Sequence, residues 1–365
     1  MPDGRPPSPI SGIPAEGPAP YHRDVTTRDA DAIERLARTV SDSRELRARV
    51  ITHLRRTIPF DWYVFVLTDP VTTVGVDPLA EVPAAVRLPE LIGAKYLTEL
   101  NRWTSLAGAA TLGDRAAESP VWQQVQRALG VVDVLSVVFR DGHGCWGFLD
   151  LWSREPFGNQ DVRRINADVP AVTEALRREQ ARSLRRPAAG EVGGPVVLVL
   201  DESLRVVSRT AAAEDWLARL LPPAGGVLPV PAAAYNVAAQ LVARERGVDA
   251  HEPRGRVHLG GGSWISVSAA RLGPDVVVAM EPITAADRLD LIGRGFALSP
   301  RERTVVAEVC AGRTTADVAA SLHLSPLTVQ DHLKSVFRRT GVRSRRELAA
   351  LALGAGPVTG PAPER

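Results

Sequence analysis

The alternation of apolar and polar positions divides the 365-residue chain into three stretches. In the first, Thr26 to Val40 and Arg44 to Thr57 have the spacing of two amphipathic helices. Their apolar positions are Ile33, Leu36, Leu46, Val50, Ile51 and Leu54. The run Asp61-Trp62-Tyr63-Val64-Phe65-Val66-Leu67 predicts a buried strand, ended by Asp69-Pro70. Helices are predicted from Pro89 to Trp103 and from Val121 to Leu129. A hairpin follows, Val134 to Arg140 and Cys145 to Trp152, turning at Asp141-Gly142. From Asn159 to Ser183 a long helix carries Val162, Ile165, Val169, Val172 and Leu176 on one side. Helices, an antiparallel sheet and a closing helix predict an α+β sandwich.

A Pro- and Gly-bearing break from Arg185 to Gly194 marks a linker. Beyond it, Val196 to Leu200 and Leu204 to Val207 pair around Asp201-Glu202-Ser203. Helices are predicted from Thr210 to Leu221 and from Tyr235 to Arg246. Three strands close this second stretch: Arg256 to Leu259, Trp264 to Leu272 across the Gly260-Gly261-Gly262 turn, and Val276 to Ile283. A connector helix runs from Ala285 to Ile292.

The third stretch, Leu298 to Leu353, holds four helix starts. Ser299-Pro300 with Glu302 offers a cap hydroxyl, a first-turn proline and a carboxylate that reaches back to the cap amide. Thr314 with Asp317 is a weaker box, Ser325-Pro326 a third start, and Ser344 with Glu347 a fourth, complete box. Gly312 and Gly341 stand where the first and third helices end. The third helix, Pro326 to Arg339, buries Val329, Leu333, Val336 and Phe337. On other faces Gln330, Lys334 and Arg338 stand four residues apart with Asp331 beside them. Such a helix suits the major groove, because these side chains reach base edges and phosphates. The tight turn His323-Leu324-Ser325 joins it to the helix from Asp317 to Leu322, the geometry of a helix-turn-helix.

This segment resembles the LuxR-type (NarL- or GerE-type) helix-turn-helix domain of bacterial transcription regulators. The resemblance rests on Leu298, Arg301-Glu302, Val305, Gly312, Val318-Ala319, Leu322, Ser325, Thr328-Val329, His332, Lys334, Gly341-Val342, Arg345 and Leu348. It implies a dimer on double-stranded DNA, with Gln330, Asp331, Lys334 and Arg338 at bases or groove and Thr315, Thr328, His332 and Arg339 on phosphates. The family often has Asn where Thr315 stands and Lys or Arg where Gln330 stands, so the operator preference shifts. Leu348, Leu351 and Ala352 of the last helix either make the dimer contact, as in the family, or close the core. RNA polymerase is a further partner if the regulator is an activator.

The end of the first stretch, Gly147-Phe148-Leu149-Asp150-Leu151-Trp152 through Phe157 and Asp161, resembles a GAF domain; an acyl-homoserine-lactone-binding domain is the close competitor. The second stretch resembles a small PAS domain by element order. The expected fold class is therefore multidomain. Residues 1–22 form a tail, 23–184 an α+β GAF-like sensory domain, 185–194 a linker and 195–284 an α+β PAS-like domain. Residues 285–297 form the connector, 298–354 an all-α four-helix LuxR-type domain and 355–365 a tail. Five of the seven tryptophans fall in the first domain, which fits a pocket for a small-molecule ligand as well as a core.

Charge agrees with DNA. Residues 298–353 carry nine basic and five acidic side chains, a net +4, while the whole chain is +2, so the remainder is −2. No apolar run reaches membrane-spanning length, the two cysteines Cys145 and Cys310 suggest no disulfide framework, and a cytoplasmic protein without membrane association is expected.

Enzymatic and cofactor chemistry finds little support. Gly142-His143-Gly144-Cys145-Trp146-Gly147 matches a G-x-G-x-x-G string, but strand follows where a dinucleotide site needs a helix. His143 and Cys145 lack an orienting third group, and His251 and His258 are lone candidates for haem ligation. No enzyme, cofactor or metal is expected. The rival reading is a ligand-binding protein-interaction module whose helix-turn-helix domain has lost DNA binding.

Overall fold

The computed structural model describes residues 32–33, 35–83, 87–186, 196–213 and 232–355. Residues 214–221 of the predicted helix from Thr210 to Leu221, nearly all of the predicted tails and most of the predicted linker lie outside these residues; of the predicted first helix, 32–33 and 35–40 are described, and 32–33 and 35–39 are helical.

The first unit is built on a five-stranded antiparallel sheet: β1 Trp62–Thr68, β2 Gly75–Glu81, β3 Ala110–Thr111, β4 Asp133–Asp141 and β5 Gly144–Ser153, in the order β2-β1-β5-β4-β3. Both faces are covered, which is why β1 reads as a continuous apolar run. Tyr63 and Phe65 point to helices α1 Ser43–Leu54 and α3 Asn159–Leu184, where Leu46, Leu54, Leu149 and Ile165 complete a core. Val64 and Val66 point the other way, toward α2 Leu88–Leu97.

The sequence pattern missed β2 because Gly75 and Pro78 read as turn residues. A proline is tolerated there because β2 is an edge strand, with one side free of ladder bonds. The helix predicted from Pro89 to Trp103 ends at Leu97. Asn101 has a left-handed backbone (φ 52), and Arg102 turns inward to donate to the Tyr96 carbonyl at 2.6 Å. The segment predicted as a helix from Val121 to Leu129 is a π-turn, Trp122–Gln126, followed by a 3-10 turn, Arg127–Leu129.

The second unit repeats the arrangement. Its strands β6 Val196–Leu200, β7 Val206–Arg209, β8 Arg254–Gly260, β9 Ser263–Leu272 and β10 Asp275–Pro282 take the order β7-β6-β10-β9-β8, which is the order of the first sheet. Helix α4 Ala232–Glu245 packs on β9 and also on α2 and β2 of the first unit. Its alanines make this double contact possible: Ala233, Ala234 and Ala238 are buried along with Val237. One apolar cluster therefore joins Val66, Tyr96 and Trp103 of the first unit to Leu198, Val267 and Val278 of the second.

Buried polar links cross the same boundary. Asp69, after β1, accepts from Arg256 Nε of β8 at 2.6 Å, and Arg256 Nη1 reaches Asp290 at 2.8 Å. Arg102 Nε donates to Asp249 at 2.9 Å; within the first unit, Trp103 Nε1 donates to the Thr73 carbonyl at 2.8 Å.

The C-terminal part is helical: α5 Ala285–Gly295, α6 Pro300–Cys310, α7 Thr315–Leu322, α8 Pro326–Thr340 and α9 Arg345–Leu353. The caps follow the sequence with one exception. Ser299 and Glu302 bond reciprocally, at 3.2 and 2.7 Å, and so do Thr314 and Asp317 despite the shorter aspartate. Ser344 accepts from the Glu347 amide at 3.1 Å, but the Glu347 carboxylate takes the Arg343 amide instead of the cap amide, so the fourth box is half formed. Gly312 and Gly341 have the expected positive φ, 84° and 75°.

Arg288 of α5 fixes this domain to the rest. Its buried guanidinium donates to the carbonyls of Leu351 (2.8 Å), Leu184 (2.7 Å) and Gly262 (3.4 Å), which belong to α9, α3 and the β8–β9 turn. Around it Leu184, Trp264, Leu291, Ile292, Leu348, Leu351 and Ala352 share one apolar cluster. The last three close the core within this chain.

Candidate nucleic-acid interface

Helix α8 buries Val329, Leu333 and Val336 and leaves Gln330, Asp331, Lys334, Arg338 and Arg339 exposed. Gln330, Lys334 and Arg338, each four residues from the next, form one outward row, as side chains at this spacing do. Lys334 Nζ lies 3.3 Å from Asp331, and the two are 73% and 63% exposed. A pair so exposed holds its partners by less than about 1 kcal/mol, so Lys334 is available to another anion.

Helices α7 and α8 meet through His323-Leu324-Ser325, where His323 takes a left-handed backbone (φ 53) and the Leu324 amide bonds the Ala319 carbonyl at 2.9 Å. This single turn sets α8 across α7. Ser325 caps α8 by accepting from the Thr328 amide at 3.0 Å, and the two hydroxyls lie 2.8 Å apart.

The residues expected at phosphates are placed differently from one another. Thr328 and His332 are half-buried on α8. Thr315, at the start of α7, accepts from Arg345 Nη1 at 3.0 Å, which leaves its hydroxyl proton free to donate. Arg339 is turned away from the row: its Nη1 donates to the Ala297 carbonyl at 3.0 Å and its Nε lies 3.9 Å from Glu302. A phosphate would compete with Ala297 for that Nη1 or meet the rest of the guanidinium, whose side chain is 43% exposed. Leu327, 65% exposed in the first turn of α8, was not singled out from the sequence; its one signal was an apolar residue outside the buried stripe.

The other chemical candidates are absorbed by the fold. Gly142 to Gly147 forms the β4–β5 turn and the start of β5. Cys145 is buried, and burial pushes its thiol up, so it stays protonated. His251 Nδ1 lies 2.6 Å from Asp249 Oδ1. Among the described residues no group of three or more His, Cys, Asp or Glu is placed to hold a metal, and no helix is long and apolar enough to cross a membrane.

No curated protein matches the chain. Among solved structures, Escherichia coli SdiA is 12% identical, with 92% of this chain and 99% of that chain covered and a TM-score of 0.37. SdiA in complex with octanoyl-rac-glycerol is 13% identical, with 91% and 96% covered and a TM-score of 0.33. The family described as bacterial regulatory proteins, luxR family, matches residues 297–352. That stretch, with its capped helices, tight turn and outward polar row, is a LuxR-family helix-turn-helix domain.

Proposed function

We propose that the chain is a sequence-specific DNA-binding transcription regulator that acts as a homodimer under the control of a signal at its first two units. The observation that carries this reading is the exposed row Gln330, Lys334 and Arg338 on the second helix of a LuxR-family helix-turn-helix domain. With Asp331, these residues read bases or line the groove; Thr315, Thr328, His332 and Arg339 hold phosphates. RNA polymerase is the partner if the regulator activates.

Residues 23–184 and 195–284 are read as GAF-like and PAS-like sensory domains, a reading supported by their identical strand orders. The first holds a mostly apolar cavity of about 60 Å³ between its sheet and α2, lined by Val66, Ile92 and Phe148 among others. Two buried polar atoms of residues in its walls, Gln126 Oε1 and Trp152 Nε1, have no hydrogen-bond partner. An apolar pocket with a few uncommitted polar groups is the usual form of a small-molecule site. In this account the signal changes how α5 holds the DNA-binding domain through Arg288.

Lys334→Ala is expected to weaken operator binding by about 1–3 kcal/mol and to relax the preference at one base position. Competition binding against single-base operator variants measures both; unchanged affinity and preference would remove Lys334 from the readers. The rival interaction-module reading draws on Asp331, whose charge opposes phosphate approach. A salt-sensitive affinity for duplex DNA separates the two.

A further inference from the structure

The line of α8 farthest from the domain core begins with an apolar residue. At about 100° per residue, Val329, Leu333, Val336 and Thr340 fall together on the buried side of the helix. Leu327, Asp331, Lys334 and Arg338 fall together on the opposite side, and all four are exposed. Three of them are charged. Leu327 is 65% exposed and stands outside the domain's apolar cluster, so it adds nothing to the core.

The cap fixes where Leu327 stands. Ser325 accepts from the Thr328 amide at 3.0 Å, Pro326 opens the first turn, and Leu327 follows it. In a helix-turn-helix the N-terminal residues of the second helix are the ones set against base edges. The side chains at this end of the outward line are unsuited to the DNA backbone. Leucine has no donor for a phosphate, and the Asp331 carboxylate, one turn on, repels one. Lys334 and Arg338 further along are suited to phosphates or bases. The head of α8 is therefore built for bases. In unmodified DNA the bases offer one apolar group in the major groove, the 5-methyl of thymine.

We propose that Leu327 is a specificity-determining residue that packs on the 5-methyl group of a thymine in each half-site. The inference rests on the reading of α8 as the DNA reader and adds a base that the polar row does not specify. Leu327 lies seven residues from Lys334, about 10 Å along the helix, so the base pair it touches is not the one Lys334 addresses. Because the methyl stands on one strand only, the contact distinguishes T·A from A·T as well as from the G·C pairs.

The test uses the full chain and operators selected from random duplexes. Each thymine of the selected site is replaced in turn by deoxyuridine, which removes the methyl group, keeps the base pair and leaves the protein untouched. At one thymine per half-site the parent is expected to lose about fourfold in affinity, the worth of one buried methyl group. Leu327→Ala is expected to bind the thymine site about fourfold or more weakly than the parent and to bind the uracil site as well as the thymine site. Such non-additivity is the mark of a direct contact. Leu327→Met, apolar and of similar reach, should restore the discrimination. If the parent loses nothing at any thymine, or Leu327→Ala loses as much as the parent at every one, the proposal is overturned while DNA binding stands. A selection that yields no bound duplex overturns the regulator reading and this inference with it, so the two failures are distinct.

Discussion

Replacing Asp69 by alanine is expected to destabilise the paired sensory units by about 3–5 kcal/mol, the usual cost of removing one partner from a buried ion pair. Asp69 is 1% exposed. One oxygen accepts from the amides of Val71 and Thr72 at 2.9 and 3.1 Å and from Arg256 Nη2 at 3.1 Å. The other accepts from the Arg256 amide at 3.0 Å and its Nε at 2.6 Å. Alanine therefore strips the turn after β1 of its internal acceptor and leaves the buried Arg256 with Asp290 and the Asp287 carbonyl, both through Nη1. Urea unfolding followed by tryptophan fluorescence measures the loss. A change below about 1 kcal/mol, the level of an exposed pair, would show that the two sheets are not held together here.

Arg288→Met is expected to release the DNA-binding domain. Methionine has a similar reach and no donor, so the carbonyls of Leu351, Leu184 and Gly262 lose the group that joins them. The Leu351 carbonyl keeps the Gly354 amide at 3.2 Å, but each buried carbonyl left without a donor costs about 1–3 kcal/mol, enough to loosen α9 while the sensory units stay folded. In the proposed mechanism undocking uncovers Leu351 and Ala352 for a partner protomer and raises DNA affinity about tenfold, or 1.4 kcal/mol. Limited proteolysis of residues 285–297 reports the undocking, and an operator titration reports the affinity. Resistance to protease equal to that of the parent would mean that Arg288 is not the fastening.

The helical C-terminus was legible because its signals are local. Ser299 with Glu302, Thr314 with Asp317, and Gly341 each fix a helix end through contacts within a few residues. The sheets were legible only where apolar runs are long; β2 escaped because an edge position excuses Pro78, and edge position is a tertiary fact. The links between units left no trace in the pattern. Asp69 and Arg256 are far apart in the chain, and the sequence showed Asp69 only as the end of a strand.

The candidate interface divides in the same way. Helical spacing placed Gln330, Lys334 and Arg338 on one outward row, because that spacing is a property of the helix alone. Arg339 belonged to the same basic cluster on paper, yet it turns to Ala297, a contact set by how α8 packs against the α5–α6 junction. The buried, unpartnered Nε1–H of Trp264 could not be seen from sequence, since burial is a tertiary fact.

The most direct test is footprinting of the full chain on DNA upstream of its own and neighbouring genes at two salt concentrations. The account predicts a protected, two-fold-symmetric site whose affinity falls steeply with salt, as phosphate contacts require. Absence of protection at both salts, for the parent and for Arg288→Met alike, would contradict it.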